Sequence, residues 1–409
     1  MVGLVAVVYA CGLLAGCSGD PLARATADTE PPRQPGTNTS VAVTTTTTSP
    51  ASPAPSTSTS LPATTALPAT TVLPATTSLP ATTSLPATTA LPATTSLPAG
   101  LEPAAYPNVE AAVFGLALDN VAVSVSVHRA GTEPWGMAAG RRVDGAGVTP
   151  DTPFVIASVS KLITALSIAR IVQMGDLATD TAVPWGSLGL RTDLLWADVT
   201  VRELLDHTSG MPINRKSWLD DPGPCSIPLQ EALVAPPTIA RTTWRYSNGN
   251  YCALGLLVEH LTGSSLDRAA YDLVFGPAGV TGPYLSTDGL HTDSAPSPRD
   301  VARLSRLGGA GTWLASTEDL VAVLDTVTST DLEVLRWPGI IVDQYGWGHT
   351  GTVDGAKSCA WVLEGGRTTV AAVVSGPRPA TGGDVCDVVL PALALDLGIW
   401  TGDPVRNPT

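Results

Sequence analysis

The first hundred residues constrain the fold of this chain most, because they lack the side chains that a core requires. Six copies of the hexamer Leu-Pro-Ala-Thr-Thr-X fill residues 61–96, and only five of the first hundred residues are charged. Proline in every sixth position blocks helix formation, and the sparse apolar side chains cannot offset the entropy of ordering. We therefore predict that residues 17–100 form an extended, solvated tether with polyproline character, and that residues 101–409 fold.

Residues 2–16 are a short apolar run without charge that ends in Leu14-Ala15-Gly16-Cys17. This ending resembles a bacterial lipobox, in which the peptide is cut before the cysteine and the cysteine is acylated. It departs from export signals because no Lys or Arg precedes the apolar run. An uncleaved helix is the alternative, but the run is shorter than the roughly 18 residues of a span. We predict a signal peptide at 1–16, lipidation of Cys17, and an exported protein anchored to the outer face of the cell membrane and extending into the cell wall.

The charge and the cysteines of the chain limit which partners and which cellular compartment are possible. A formal net charge of -14 argues against nucleic acid as a partner. Beyond Cys17, an even number of cysteines in an exported chain predicts two disulfides, and among three possible pairings we favour Cys225 with Cys252 and Cys359 with Cys386. A tetrahedral metal site is disfavoured because no close Cys-x-x-Cys spacing occurs, so we predict no metal.

Hydrophobic patterns predict strands at both ends of the folded part and helices between them. Residues 109–118 suit an amphipathic helix, 121–128 alternate as a strand does, and 135–141 suggest a second strand. Later strands are predicted at 344–348, 356–363 and 368–374, and a final helix at 384–397. We therefore predict an α+β fold. Residues 101–157 and 340–409 supply an antiparallel sheet of about five strands with flanking N- and C-terminal helices, and residues 176–330 form an inserted, mostly helical lobe.

The sequence Ser158-Val159-Ser160-Lys161 stands at the start of a nearly all-apolar helix predicted for residues 158–174. One helical turn places Ser158 and Lys161 on the same face, and a lysine held neutral by apolar surroundings can take the serine proton. The alternative is a serine N-cap followed by a solvated lysine. The spacing alone does not decide between a nucleophile and a helix cap.

Two further motifs occupy informative places in the chain. Tyr246-Ser247-Asn248 precedes an apolar helix predicted for 251–261, and His349-Thr350-Gly351 ends a predicted late strand. Taken singly, each has a structural alternative: a helix cap with a half-buried ring for the first, and a plain strand end for the second.

Together and in this order, these motifs resemble the serine β-lactamase and penicillin-binding DD-peptidase superfamily. Residues 154–161, FVIASVSK, and 199–212, VTVRELLDHTSGMP, are similar to the branch of class C β-lactamases and serine DD-carboxypeptidases. The segment 311–320 resembles the same branch, and the resemblance runs from about 105 to 398. It implies a β-lactamase/transpeptidase-like fold.

The resemblance implies a catalytic role for three side chains. Ser158 would attack a carbonyl and form an acyl-enzyme, and Lys161 would take its proton. Tyr246 would relay that proton to the leaving group, with its pKa lowered by the positive charge of Lys161. The backbone N–H groups of Ser158 and Thr352 would form the oxyanion hole. His207, which a serine and histidine pairing makes tempting as a base, is structural in the matched segment.

The substrate-binding residues implied by the resemblance are Asn248, His349, Thr350 and Gly351. Asn248 would hydrogen-bond a substrate amide. His349 stands where β-lactamases usually carry lysine, and an imidazole near neutral pH is only partly charged, which makes it a weaker cation for a substrate carboxylate. The replacement disfavours efficient β-lactamase activity and keeps DD-peptidase and esterase activity open.

These observations favour an exported serine hydrolase, a D-amino-acid carboxypeptidase, amidase or esterase acting at the cell wall. Its partners would be a small-molecule or peptidoglycan-peptide substrate and the membrane, through the lipid anchor. We expect no cofactor and a monomer. A β-lactamase or promiscuous esterase is the alternative, and a non-catalytic wall-binding lipoprotein on the same fold is a third.

Overall fold

A computed structural model describes most of the folded part of the chain. The described residues are 105–212, 216–219, 221–237, 239–297, 299–335, 340–342, 345–376 and 385–399. All of them fall within one compact unit, Ala93–Thr409. The predicted signal peptide, Cys17 and the tether lie outside the described residues and stay predictions.

The helices and strands are numbered separately in chain order. The strands are β1 (Ala122–Arg129), β2 (Trp135–Gly140), β3 (Phe154–Val155), β4 (Tyr284–Leu285), β5 (Trp313–Ala315), β6 (Ile341–Val342), β7 (Gly346–Val353), β8 (Ala356–Leu363) and β9 (Thr368–Ser375). The helices are α1 (Pro107–Asp119), α2 (Ser160–Gln173), α3 (Val201–Leu205), α4 (Ser226–Leu233), α5 (Asn248–Thr262), α6 (Leu266–Ala270), α7 (Thr317–Asp325), α8 (Ser329–Leu335) and α9 (Val385–Leu397).

The main sheet joins the two ends of the folded part, as predicted. Its strands are antiparallel in the order β2-β1-β9-β8-β7-β6, and central β9 is buried along its whole length. The observed sheet has six strands where about five were expected, and the additional one is β6, a two-residue edge strand. The α+β prediction is confirmed, and the long buried strands explain why the pattern located them.

Helices α1 and α9 cover one face of the sheet. Val109 and Val113 of α1 share a buried cluster with Leu390 and Leu393 of α9. The carboxylate of Asp396 accepts hydrogen bonds from backbone N–H groups at the start of α1, where the helix dipole favours a negative charge. Helices α1 and α9 are therefore fastened to each other as well as to the sheet.

The predicted pairing of the cysteines is confirmed. Cys359 of β8 is bonded to Cys386 of α9, and Cys225, which precedes α4, is bonded to Cys252 of α5. Gly308 packs directly against the Cys225 sulfur with a left-handed backbone at φ 51°, so a side chain there would collide with this disulfide.

The opposite face of the sheet carries the helical lobe, with α2 buried between layers along most of its length. A second sheet of three short strands, in the order β3-β5-β4, lies beside it. This sheet was not predicted, because strands of two or three residues are too short to show an alternating pattern. None of the described helices has both the length and the hydropathy that a membrane crossing requires.

Candidate active site

Ser158 lies in a tight turn between β3 and α2. The turn is a 3-10 helix, Ala157–Val159, so the expectation that Ser158 opens the α-helix is wrong by two residues. The cause is Ala157, whose backbone is left-handed at φ 46° and redirects the chain before α2 begins. A non-glycine residue in this region is strained, and such strain is often found at functional sites. Ser158 remains partly exposed while its neighbours are buried.

Lys161 is buried and within hydrogen-bond distance of Ser158. Its Nζ lies 3.1 Å from Ser158 Oγ, and it donates to Asn248 Oδ1 and to the Ala310 carbonyl, both at 2.7 Å. Burial lowers the pKa of Lys161 well below its ordinary value. A neutral amine has two N–H donors and one lone pair. In that form the two carbonyl acceptors would take the donors, and the lone pair would be left for the Ser158 proton.

Tyr246 contacts the same serine from another direction. Its hydroxyl donates to Ser158 Oγ at 2.9 Å, and its ring lies with its centroid 4.8 Å from Lys161 Nζ. Burial raises the pKa of Tyr246 above its ordinary value. The expectation that the positive charge of Lys161 lowers this pKa is therefore wrong, because burial depresses the charge of Lys161 itself. Tyr246 holds its proton in the resting site and is suited to donate it.

Asn248 is the first residue of α5, three residues before the predicted helix start. Ser247 caps the helix by accepting from the Gly249 N–H at 3.2 Å. The cap aims the Asn248 side chain at Lys161. Its carbonyl oxygen is thus a lysine partner, and binding of a substrate amide stays a prediction for this residue.

His349, Thr350 and Gly351 lie inside β7, not at a strand end as predicted. The strand continues to Val353 because its inner edge pairs with β8 as far as Ala356. On its other edge β7 pairs with β6 only at Trp347 and Gly348. The predicted strand, residues 344–348, stops where this second pairing stops.

His349 is neutral in this environment. Its ring is 3% exposed, and Nδ1 donates to the backbone carbonyl of Thr350. Burial lowers the pKa of His349 to about 3. The partial positive charge expected from the sequence is therefore absent at neutral pH.

Gly351 lets β7 approach the nucleophile turn closely. A Cβ at this position would lie 2.5 Å from the Ile156 carbonyl oxygen and 3.0 Å from the Ser158 nitrogen. Only glycine fits without moving the turn. Thr352, the next residue, is exposed. The oxyanion hole itself stays a prediction.

Comparison with known proteins identifies the family. The sequence model of the β-lactamase family, described as "Beta-lactamase", matches residues 111–391. The chain belongs to the β-lactamase family. This confirms the predicted superfamily.

Two curated proteins that this chain is similar to are named for different activities. Over 146 residues the chain is 32% identical to penicillin-binding protein 4 of Amycolatopsis lactamdurans, covering 34% of this chain and 38% of that protein. Over 157 residues it is 33% identical to esterase EstB of Burkholderia gladioli, covering 34% and 40%. The chain thus spans about two fifths of the length of these curated relatives.

A D-stereospecific amidohydrolase from Streptomyces sp. has a similar solved structure. The TM-score is 0.58 at 20% identity, and the match covers 70% of this chain and 98% of that chain. At this identity the likeness shows the fold alone.

Three contributors to this β-lactamase-family site were not predicted. The Ala310 carbonyl accepts from Lys161, Thr164 Oγ1 donates to the Gly309 carbonyl at 2.7 Å, and Ser358 Oγ donates to the Ile156 carbonyl at 2.6 Å. Thr164 lies one helical turn after Lys161, a spacing that the sequence displays. A backbone carbonyl has no sequence signal, and neither does a serine that acts across 200 residues.

The described residues contain no cluster of histidine, cysteine, aspartate or glutamate side chains that could hold a metal ion. The absence of a cofactor stays an expectation. The described chemistry of the site rests on hydroxyl, amine and backbone groups.

Proposed function

We propose that this chain is a serine hydrolase that forms an acyl-enzyme through Ser158. One observation carries the proposal: the Ser158 oxygen lies within hydrogen-bond distance of both a buried lysine, whose pKa is lowered well below its ordinary value, and a buried tyrosine, whose pKa is raised. A neutral amine can accept the serine proton, and a phenol can protonate a leaving group.

The proton balance follows from these positions. The Ser158 proton moves to Lys161 as Oγ attacks the carbonyl, and the backbone N–H groups of Ser158 and Thr352 receive the oxyanion. Tyr246 then gives its proton to the leaving alcohol or amine and regains one from Lys161. In deacylation, water attacks the ester, its proton passes through Tyr246 to Lys161, and Lys161 returns a proton to the departing Ser158 oxygen.

The acylation step is tested by intact-mass measurement of the purified protein with p-nitrophenyl acetate and with a fluorophosphonate. We expect an adduct in the wild type, its absence in Ser158→Ala, and an unchanged adduct in Ser167→Ala, which changes a buried serine of α2. No adduct with either reagent would contradict the enzyme proposal and favour the wall-binding alternative.

The favoured substrate is an ester or amide with no free carboxylate beside the scissile bond. His349 is neutral and its Nδ1–H is already donated to Thr350, so this pair provides no fixed positive charge. The name of one similar protein, an esterase, fits an ester as the acyl donor.

A matched substrate pair tests this preference. We expect a D-alanyl peptide amide or methyl ester to be cleaved at least about tenfold faster than the same peptide ending in D-alanyl-D-alanine with a free carboxylate. A faster reaction of the free acid would favour the carboxypeptidase alternative. The similarity to a penicillin-binding protein makes a fluorescent penicillin the matching probe for a DD-peptidase or β-lactamase.

The proposed location is the outer face of the cell membrane. It is supported by the apolar run ending in Cys17 and by the repeats of residues 61–96. Radiolabelled palmitate should enter the wild type and not Cys17→Ser, and globomycin should block processing. Incorporation that is equal in both proteins would rule out Cys17 as the anchor.

A further inference from the structure

His207 is a buried imidazole in contact with the ring of Tyr246. It is 1% exposed, and the two ring centroids lie 4.7 Å apart at an interplanar angle of 39°. Its backbone is left-handed at φ 56°, in a residue that is not glycine. The proposed proton relay runs through Lys161 and Tyr246 and does not use this ring. The Nδ1 of His207 instead contacts Ser247 and Asn250.

The hydrogen bonds of His207 hold the chain on both sides of Tyr246. The His207 carbonyl accepts from the Arg245 N–H at 2.8 Å, and Nδ1 accepts from the Ser247 N–H at 3.4 Å. One residue thus fixes the backbone immediately before and immediately after the tyrosine. The ring contact adds a third restraint, on the tyrosine side chain itself.

Asn250 orients the His207 ring. Its Nδ2 donates to His207 Nδ1 at 2.9 Å, while its Oδ1 accepts from Ser209 Oγ at 2.6 Å. Since Nδ1 receives N–H donors, the ring proton is on Nε2 and the imidazole is neutral. Burial lowers the pKa of His207 well below its ordinary value, which agrees with a neutral ring. The Nδ1 acceptor of His207 therefore faces the backbone N–H of Ser247, next to Tyr246.

We propose that His207 is a positioning residue that holds the Tyr246 hydroxyl at Ser158. The inference rests on the proposed hydrolase function, and it assigns His207 an effect that passes through Tyr246 and not through the substrate. Small displacements of a group that transfers a proton reduce rates by large factors, so a three-point restraint on Tyr246 has a kinetic consequence.

Two substitutions separate the acceptor of His207 from its bulk. His207→Asn keeps an acceptor near the Nδ1 position and tolerates the left-handed backbone. His207→Leu removes the acceptor. We expect His207→Leu to lower kcat for p-nitrophenyl acetate at least about tenfold with KM within about twofold, and His207→Asn to recover most of that loss. His260→Leu, at an exposed histidine of α5, is the control and should match the wild type.

A double-mutant cycle tests whether the effect passes through Tyr246. In a Tyr246→Phe background, His207→Leu should change the rate by less than about twofold, because the hydroxyl that it positions is already gone. A full loss in both backgrounds, or equal rates for His207→Leu and the wild type, would overturn the proposal.

A second variant covers the case in which His207→Leu does not fold. Asn250→Asp keeps the shape of the side chain but presents an acceptor to His207 Nδ1. The imidazole proton then moves to Nδ1, and the Ser247 N–H loses its acceptor because two N–H groups face each other. We expect the same loss of kcat and the same dependence on Tyr246. Additive losses with Tyr246→Phe would overturn the proposal here too.

The rate of phosphonylation by a fluorophosphonate separates this inference from the proposed function. If the wild-type protein is phosphonylated but turns over neither ester nor amide, the proposed hydrolase function fails and the cycle is measured on the phosphonylation rate. If the wild type does neither, both proposals fail.

Discussion

At the scale of single residues, Ala157 pairs a strained backbone with a buried side chain immediately before Ser158. It is fully buried at φ 46°, where an L-residue costs about 1–2 kcal/mol. Glycine does not incur this cost. We expect Ala157→Gly to raise the free energy of unfolding by about 1 kcal/mol, measured by urea denaturation.

The matched control is Ala169→Gly, at a buried alanine inside α2. Glycine in a helix interior is less stable than alanine by about 1 kcal/mol, so the two substitutions should have opposite signs. A destabilising Ala157→Gly would show that the left-handed turn is not strained.

Lys161 has a consequence for the pH dependence of acylation. Its pKa lies well below 10.5 because of burial, so the basic amine is populated at lower pH than an exposed lysine allows. We expect the acylation rate to rise with pH as Lys161 loses its proton, and to level off well below pH 10.5. Stopped-flow release of p-nitrophenol measures this profile.

Lys161→Arg is the informative variant, because a guanidinium stays protonated over this range. It should lose acylation by at least about a hundredfold at every pH. A wild-type rate that keeps climbing to pH 10.5 would mean that Lys161 is charged in the resting site.

At the scale of elements, β7 and β8 hold the nucleophile turn from the side of the sheet. Ser358 of β8 donates to the Ile156 carbonyl at 2.6 Å in a buried place, and that carbonyl also accepts from the Val159 N–H at 3.1 Å. We expect Ser358→Ala to destabilise by about 0.5–1.5 kcal/mol, the net worth of one hydrogen bond, and to lower the acylation rate, because the turn carries Ser158.

Ser167→Ala provides the comparison for this element. Its hydroxyl donates within α2 to the Ile163 carbonyl at 2.9 Å, so the hydrogen bond that this substitution removes is local to the helix. This variant should retain the acylation rate. Thermal melts measure the stability of the two variants, and stopped-flow kinetics measures their acylation rates. Equal losses in both variants would argue against a specific role of β8 in holding the turn.

At the scale of the whole molecule, the repeats of residues 61–96 are expected to set reach and not chemistry. Deleting residues 61–96 should leave turnover of a soluble ester within about twofold of the wild type, because the site is built from residues 156–358. Steady-state kinetics of the purified deletion protein measures this. A tenfold loss would show that the repeats contribute to the site.

Several elements were predictable because their signals are local. The strands β1, β8 and β9 begin and end within one or two residues of the predicted bounds, since long buried strands carry a clear pattern of apolar side chains. The short β3, β4 and β5 carry none and were missed. The predicted helix begins at Ser158, inside the turn of residues 157–159, because a left-handed alanine has no sequence signature.

The sequence by itself determined where the chain can fold, which four cysteines are available to pair, and which serine, lysine and tyrosine belong together. Tertiary structure alone decided their protonation states. Burial of Lys161, Tyr246 and His349 depends on surfaces that distant segments supply, and the Ala310 carbonyl reaches Lys161 across 149 residues. Desolvation and backbone acceptors act through space, so no local pattern encodes them.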